Sequence, residues 1–442
     1  MREPDATGDG GRSRRDVLKA AVAVGGSVGL SACLDAIDGG EGSGTEAVPS
    51  GPEDLSTLPT RQFAWGEHIR RDEFGNEQLP AHQTLLYLTL PGEGPPTADQ
   101  RATVETALTR LDEAYAWSHE GLLRSLAYSP EYFDRYETAL PEPLDIYPAR
   151  RLSPFETPEF DRQDALLHLA SDRPDALLAA EQALTGERAS ANGVDFDAAL
   201  TDVFTVDDRR TGFIGAGLPA AKQGGLEGVP EDGPVPDGSP LFMGFKAGFA
   251  RNQAPEDRVT IQDGPFAGGT TKHVANLRQR LEDWYGEQDF TQRVMEMFSP
   301  MHAENDWVEG VGANLEDGSR VDETVATIEE QATEFGRVGH AQKAARANRD
   351  PDGTVKLNRR HFESADDGIA SLHFPSLQRE MSEFDAVREA MNGQDLTEIT
   401  PAVRQRVNNG ILEYIFVRHR GNFLVPPRDL RALPTPDGDA PQ

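Results

Sequence analysis

Two periods of hydrophobicity alternate along this chain, and they do so twice in a similar order. In the first half Gln83 to Leu90 is an apolar run of strand length, and Ala98 to Ala116 then carries Val104, Ala107, Leu108, Leu111 and Ala114 at helical spacing. Two more strand-length runs follow, Gly121 to Tyr128 and Asp164 to Ser171, and Ser171-Asp172 introduces a helix over Pro174 to Leu184. Strand, helix, strand, strand, helix is a ferredoxin-like order. From Phe204 to about Pro240 the chain is rich in Gly, Pro and Asp and has no sustained period, which reads as a connection or a long active-site loop. The second half has an extended run at Thr270 to Asn276, helices over Arg278 to Gln288 and Thr291 to Phe298, and a long amphipathic helix from Thr324 to Ala347. A strand at Gly368 to Phe374, a helix at Met381 to Met391 and a closing extended run at Gly421 to Pro427 complete it. No residue-level repeat joins the halves. The order of elements predicts an α+β fold, with two ferredoxin-like modules packed face to face as a dimeric α+β barrel within one chain.

The modules are bounded as 63–210 and 211–432, with a tail at 433–442. Ahead of them, 34–62 has the acidic, Gly/Ser/Pro-rich composition of a flexible linker. Residues 1–33 read as a targeting segment. Arg12-Ser-Arg-Arg-Asp-Val-Leu-Lys19 supplies its charge, and Ala20 to Ala32 is a weakly apolar stretch of about half the length a membrane span requires. Leu30-Ser-Ala-Cys33 then looks like a lipobox. The combination predicts passage through the twin-arginine (Tat) translocase, acylation of Cys33 and tethering to the outer face of the cytoplasmic membrane. Cys33 is the only cysteine, so no disulfide closes within the chain and the fold must hold by its core.

Charge narrows the partners further. Acidic residues number 75 against 43 basic ones, of which six are lysine, and the net charge of −32 repels nucleic acid and anionic lipid. Because the acidic residues run along the whole chain, they read as the solvated surface of a halophilic protein, as in salt-loving archaea.

Five segments carry more specific information. Gly121-Leu-Leu-Arg-Ser-Leu-Ala-Tyr-Ser-Pro-Glu-Tyr-Phe-Asp-Arg135 and Asp164-Ala-Leu-Leu-His-Leu-Ala-Ser-Asp172 stand in the first half. Asp263-Gly-Pro-Phe-Ala-Gly-Gly-Thr-Thr271, Val338-Gly-His-Ala-Gln-Lys-Ala-Ala-Arg-Ala-Asn348 and Leu357-Asn-Arg-Arg-His-Phe362 stand in the second. In this order they resemble the dye-decolorising (Dyp-type) haem peroxidases, over almost all of the chain beyond the leader. The most specific likeness is Asp263 to Thr271, similar to the family's "E-G-P-F-A-G-G-S-Y".

The resemblance implies haem b as cofactor, His340 as the axial ligand of its iron and Arg359 on the opposite side, where a guanidinium binds peroxide and stabilises negative charge as the O–O bond breaks. It also implies that Gly244, Phe245, Gly248, Gly268 and Gly269 line the cofactor, the glycines allowing close backbone approach. Peroxide and an unknown organic reductant are the implied substrates, and a homo-oligomer is compatible with the reading. One departure bears on catalysis. The family's "G-F-x-D-G", whose aspartate shuttles a proton between the peroxide oxygens, corresponds here to Gly244-Phe-Lys-Ala-Gly248, and the aspartate has become Ala247. Loss of a positioned acid/base costs roughly a hundredfold to ten-thousandfold in rate. Lys246 or His361 could take over the proton, but simple loss of activity ranks above that rescue. Two expectations follow: a Dyp-type peroxidase, weakened by Ala247, or a haem- or iron-handling lipoprotein that uses the same fold without efficient catalysis.

Overall fold

The apolar run in the first half folds as strand β1, His82–Thr89, and it is continuous because both its faces are buried. Leu86 and Leu88 pack under the helices α1, Ala98–Ala114, and α2, Pro174–Leu184, while Leu85 and Tyr87 turn to the opposite face. Helix α1 starts at a reciprocal cap in which the Thr97 hydroxyl accepts from Gln100 N–H and the Gln100 side chain accepts from Thr97 N–H. It buries Val104, Ala107, Leu108 and Leu111, the helical stripe read from the sequence. Strands β2, Leu123–Tyr128, and β3, Ala165–Ser171, complete the expected set. The computed structural model describes residues 47–438 apart from 142, 143 and 145, so the leader and Cys33 lie outside the described residues.

One strand of the first module was not legible. The stretch from Phe204, expected as a loop, opens with β4, Thr205–Phe213, which pairs along β1. Its sequence, Thr-Val-Asp-Asp-Arg-Arg-Thr-Gly-Phe, hides the strand because charges sit where apolar residues are expected. The charges are matched locally: Arg210 forms a fork on Asp161 at 2.6 and 2.9 Å, and Arg209 pairs with Glu181.

The second module contains β5, Thr270–Gln279, a long insertion, β6, Asn358–Arg359, β7, Phe362–Ser364, β8, Ser371–Gln378, helix α7, Met381–Ala390, and β9, Ile415–Val425. The insertion carries α3, Leu281–Gly286, α4, Phe290–Met297, α5, Ile328–Phe335, and α6, His340–Ala347. Strands run in the order β5-β8-β7-β4-β1-β3-β2-β9, and β9 pairs again with β5, which closes a barrel. Within it each module has the ferredoxin-like order 4-1-3-2. The fold is therefore the expected α+β barrel of two ferredoxin-like modules. Its sheets join at their edges, where Glu363 pairs with Phe213 and Leu424 with Tyr128, and face each other across the barrel interior. That interior holds Leu85, Tyr87, Val274, Phe362 and Phe423. It also holds Lys272, whose Nζ lies 3.1 Å from Ser125 Oγ and 3.2 Å from His168 Nδ1.

Two further expectations are corrected. Arg278 still belongs to β5, so the helix expected from there begins only at Leu281. The helix expected over Thr324 to Ala347 is broken: α5 ends where Gly336 takes φ +63°, and Val338 leaves to bridge Asn409. Of the linker 34–62, the part from Val48 packs on the barrel, with Gln62 Nε2 donating to Leu126 O and Pro426 O. The tail begins likewise, with Leu433 N–H donating to the Tyr128 hydroxyl. Among the described residues no helix is long and apolar enough to cross a membrane.

Candidate functional site

The break between α5 and α6 places His340 at the first position of a helix rather than in the middle of one. Two close approaches fix its backbone. A Cβ on Gly339 would fall 1.7 Å from Phe298 O, and a Cβ on Gly410, whose φ is +62°, would fall 2.9 Å from His340 N. Only glycine fits either position. Lys343, one turn on, ties α6 down by donating to Met391 O, Asn409 O and Asn409 Oδ1 at 2.6 to 2.9 Å. Neither ring nitrogen of His340 meets a hydrogen-bond partner among the described residues, and the ring borders a cavity. Burial, then the charges of Lys343 and Arg359, push its pKa down to about 3, so the imidazole is neutral with a free lone pair.

Opposite α6, strand geometry sorts the side chains around β6 and β7. Arg359, His361 and Glu363 alternate onto the cavity, while Arg360 turns away to donate to Phe63 O and Glu256 and to stack over Trp65. Leu372 and Phe374 of β8 line the cavity by the same period. Of the two adjacent arginines, the pleat turns Arg359, the one singled out by sequence, onto the cavity.

Arg359 is held by the loop that follows Phe249. Gln253 Oε1 accepts from Arg359 N–H and Nε at 3.2 and 3.1 Å, Gln253 Nε2 donates back to Arg359 O at 2.8 Å, and Asn252 O accepts from Nη2 at 2.8 Å. Its Nη1 is unengaged, and no carboxylate lies within ion-pair distance among the described residues. Burial lowers its pKa to about 10, which leaves it charged and uncompensated.

Glu363 is the cavity's buried carboxyl. It accepts from Phe242 N–H at 2.8 Å and lies 2.6 Å from the Gln279 side-chain amide. Burial raises its pKa to about 8. The Gln279 oxygen is buried without a partner, so turning that amide over would let a protonated Glu363 donate to it. The remaining wall is apolar: Leu241, Met243, Phe245, Phe249, Phe298 and Ile411, among others. The empty space, counting its open mouth, is about 1010 Å³, at the upper end of the roughly 300–1,000 Å³ of small-molecule and cofactor sites.

Of the residues expected at the site, His340, Arg359, Phe245 and Gly248 meet at this cavity, and Ala247 lines its open side. Gly248 takes φ +79° with nothing within 4 Å of where a Cβ would lie. Gly244 stands behind the wall, packed against the Tyr285 hydroxyl. Gly268 and Gly269 do not reach the cavity: they form a turn with Ile261 and abut Val425 to Pro427. Both pack at the start of β5. Glu363 and Gln253 were missed, and only the period-2 spacing from Arg359 could have pointed to Glu363.

The donor set fits a flat, largely apolar cofactor with a metal at its centre: a free neutral imidazole on one wall, an unpaired cation on another, and apolar faces between. Solved structures of the same architecture are dye-decolorising peroxidases. The encapsulated DyP-type peroxidase from Mycobacterium smegmatis has TM-score 0.51 and 16% identity, with 82% of this chain and 96% of that one covered. A dye-decolorizing peroxidase from Bacteroides thetaiotaomicron has TM-score 0.51 and 14% identity over 83% and 99%. A DypB variant from Rhodococcus jostii in complex with heme has TM-score 0.50 and 14% identity over 84% and 98%. At such identities the likeness establishes the fold. The chain itself belongs to DUF7405, described as a family of unknown function, whose model matches residues 80–427. No curated protein matches it.

Proposed function

We propose that this chain binds haem b through His340 and reduces peroxide at the expense of an organic electron donor, as a divergent Dyp-type peroxidase. The observation that carries the reading is that one cavity is shared by an imidazole without a hydrogen-bond partner and a half-buried guanidinium without a carboxylate. Bound haem would supply the redox centre that passes electrons from donor to peroxide. The chain's own residues do the rest. His340 offers a neutral nitrogen to the iron, Arg359 Nη1 is available to hold a peroxide anion, and the Phe245, Phe249, Phe298 and Phe374 rings keep water from the reacting atoms.

A second reading is favoured by Ala247, which can neither accept nor donate a proton: haem or iron handling on the same fold without efficient turnover. An absorption spectrum separates the two readings from failure of both. The protein expressed without residues 1–33, folded in high salt and given haem, is expected to show a stoichiometric Soret band that shifts with cyanide. Peroxide consumption above that of free haem then selects the enzyme. A flat spectrum from folded protein would exclude haem and every role assigned to it here.

The halophilic reading and the location complete the proposal. Passage through the Tat translocase suits a protein folded around its cofactor before export, and acylated Cys33 would hold it on the outer face of the membrane. Cys33→Ala is expected to move the protein from the membrane fraction to the medium, whereas an unchanged fractionation would remove the lipid anchor.

A further inference from the structure

We propose that His361, through Nε2, is the acid–base group of this cavity and carries out the proton transfer that Ala247 cannot; the inference rests on the haem-peroxidase reading above. Two departures from the family pattern, Ala247 for an aspartate and His361 for a glycine, lie far apart in sequence yet line one cavity.

Geometry singles out His361 among the groups there. Its ring stacks on Phe374, with centroids 6.3 Å apart and planes 15° from parallel, which fixes its orientation. Its Nδ1 is fully enclosed without a partner, so Nε2 is the nitrogen through which the ring meets the cavity. The alternatives are occupied. Lys246 Nζ is bound to Asp72 at 2.6 Å, both Glu363 oxygens are hydrogen-bonded, and Arg349 is tied to Asp322, Asn252 and Gly353.

Arg359, two residues away on the same wall, makes the chemistry reversible. Burial and that guanidinium hold the imidazole neutral, with its pKa down at about 3. A peroxide anion between the two groups supplies the negative charge that lets Nε2 hold a proton, and the proton becomes easy to release as that charge moves to the departing oxygen. Nε2 would thus take a proton from one peroxide oxygen and return it to the other, which leaves as water when the O–O bond breaks. Bound haem would supply the redox centre, and over the whole turnover two molecules of the organic donor AH give two electrons and two protons, so that H₂O₂ + 2 AH gives 2 H₂O + 2 A. Peroxide is reduced and the donor oxidised.

The test uses His361→Leu and His361→Gln in haem-loaded protein, with circular dichroism and Soret intensity as checks on folding and loading. Hydrogen cyanide must lose a proton to bind as cyanide, so its association rate reports the same transfer without turnover. Both variants are expected to keep the wild-type Soret band while cyanide association and single-turnover peroxide consumption fall by about a hundredfold or more. Wild-type rates for either reaction in both variants would overturn the proposal. So would a wild-type spectrum of two-histidine ligation that reverts to one histidine in His361→Leu, because His361 would then be an iron ligand. Absence of a Soret band in folded wild-type protein would reject the haem reading itself, and His361's role with it.

Discussion

Glu363→Gln is expected to make the chain more stable at alkaline pH, an unusual outcome for the loss of a buried, doubly hydrogen-bonded side chain. Glu363 is 1% exposed, and burial raises its carboxyl from the ordinary 4.5 to about 8. Between those values the unfolded chain has released the proton and the folded chain retains it. The folded state binds more protons, so stability falls as pH rises, by about 1.4 kcal/mol per pH unit for this one group. The contribution is fully present below pH 4.5, declines through the interval and is lost above about pH 8, a total of roughly 5 kcal/mol. A neutral amide keeps the geometry: its oxygen can accept from Phe242 N–H, and its NH₂ can donate to the Gln279 oxygen that now has no partner. Urea unfolding of both proteins without haem, at one fixed high salt concentration, cancels the pH dependence they share through the acidic surface. The difference between variant and wild type should move in the variant's favour by several kcal/mol from pH 5 to pH 9. A difference that stays constant over that range would refute a buried neutral Glu363.

Other perturbations test other parts of the site. His340→Ala should abolish the histidine-haem absorption spectrum, and an unchanged spectrum would remove the ligand assignment. Arg359→Leu should leave haem loading intact while lowering the rate of reaction with peroxide by roughly a hundredfold to a thousandfold, measured by stopped flow. Gly339→Ala forces a Cβ to within 1.7 Å of Phe298 O; it should cost roughly 1–3 kcal/mol in urea unfolding and weaken haem binding by displacing the start of α6. Ala247→Asp should raise peroxide consumption, by at most about a hundredfold if His361 already moves the proton; no gain would count against Ala247 facing the peroxide.

How much of this was legible depended on which force set each element. Strands β1, β2 and β3 and helices α1 and α2 were readable because their burial is two-sided or striped, and apolar residues alone record it. β4 was not, since Asp161 and Glu181 neutralise its arginines from distant points in the sequence. The break before His340 was also hidden. The amphipathic pattern resumes beyond Gly336 to Gly339, and the chain is turned away by the left-handed Gly336 together with the bridge from Val338 to Asn409, which lies about 70 residues on. Motif likeness singled out His340 and Arg359, which line the cavity, and equally Gly268 and Gly269, which lie away from it. A glycine pair that permits close approach of a ligand and one that permits close approach of Pro427 have the same sequence. His361 was visible only as a departure from a pattern, and its meaning required knowing that it shares a wall with Arg359.

The energetics of that wall bear on the choice between an enzyme and a fold kept for something else. An enclosed nitrogen without a partner, as at His361 Nδ1, costs roughly 1–3 kcal/mol. A half-buried guanidinium with no carboxylate, as at Arg359, adds a desolvation cost that its bonds to Asn252 and Gln253 offset only in part. Apolar side chains at 359 and 361 would remove both costs and fill the cavity with the packing that the barrel shows elsewhere. The protein thus carries, in one place, polar groups that weaken it while the cavity holds no anion. An anionic ligand between Arg359 and His361 reverses the balance at the cavity, since it pairs the guanidinium and stabilises a protonated imidazole through Nε2, while Nδ1 keeps its cost. That reversal is the property required of a site that must bind peroxide as an anion and then let it go as water. It also explains why Ala247 alone is a poor indicator of lost function: the proton-carrying group need not occupy the same loop, provided that it faces the same oxygen atoms.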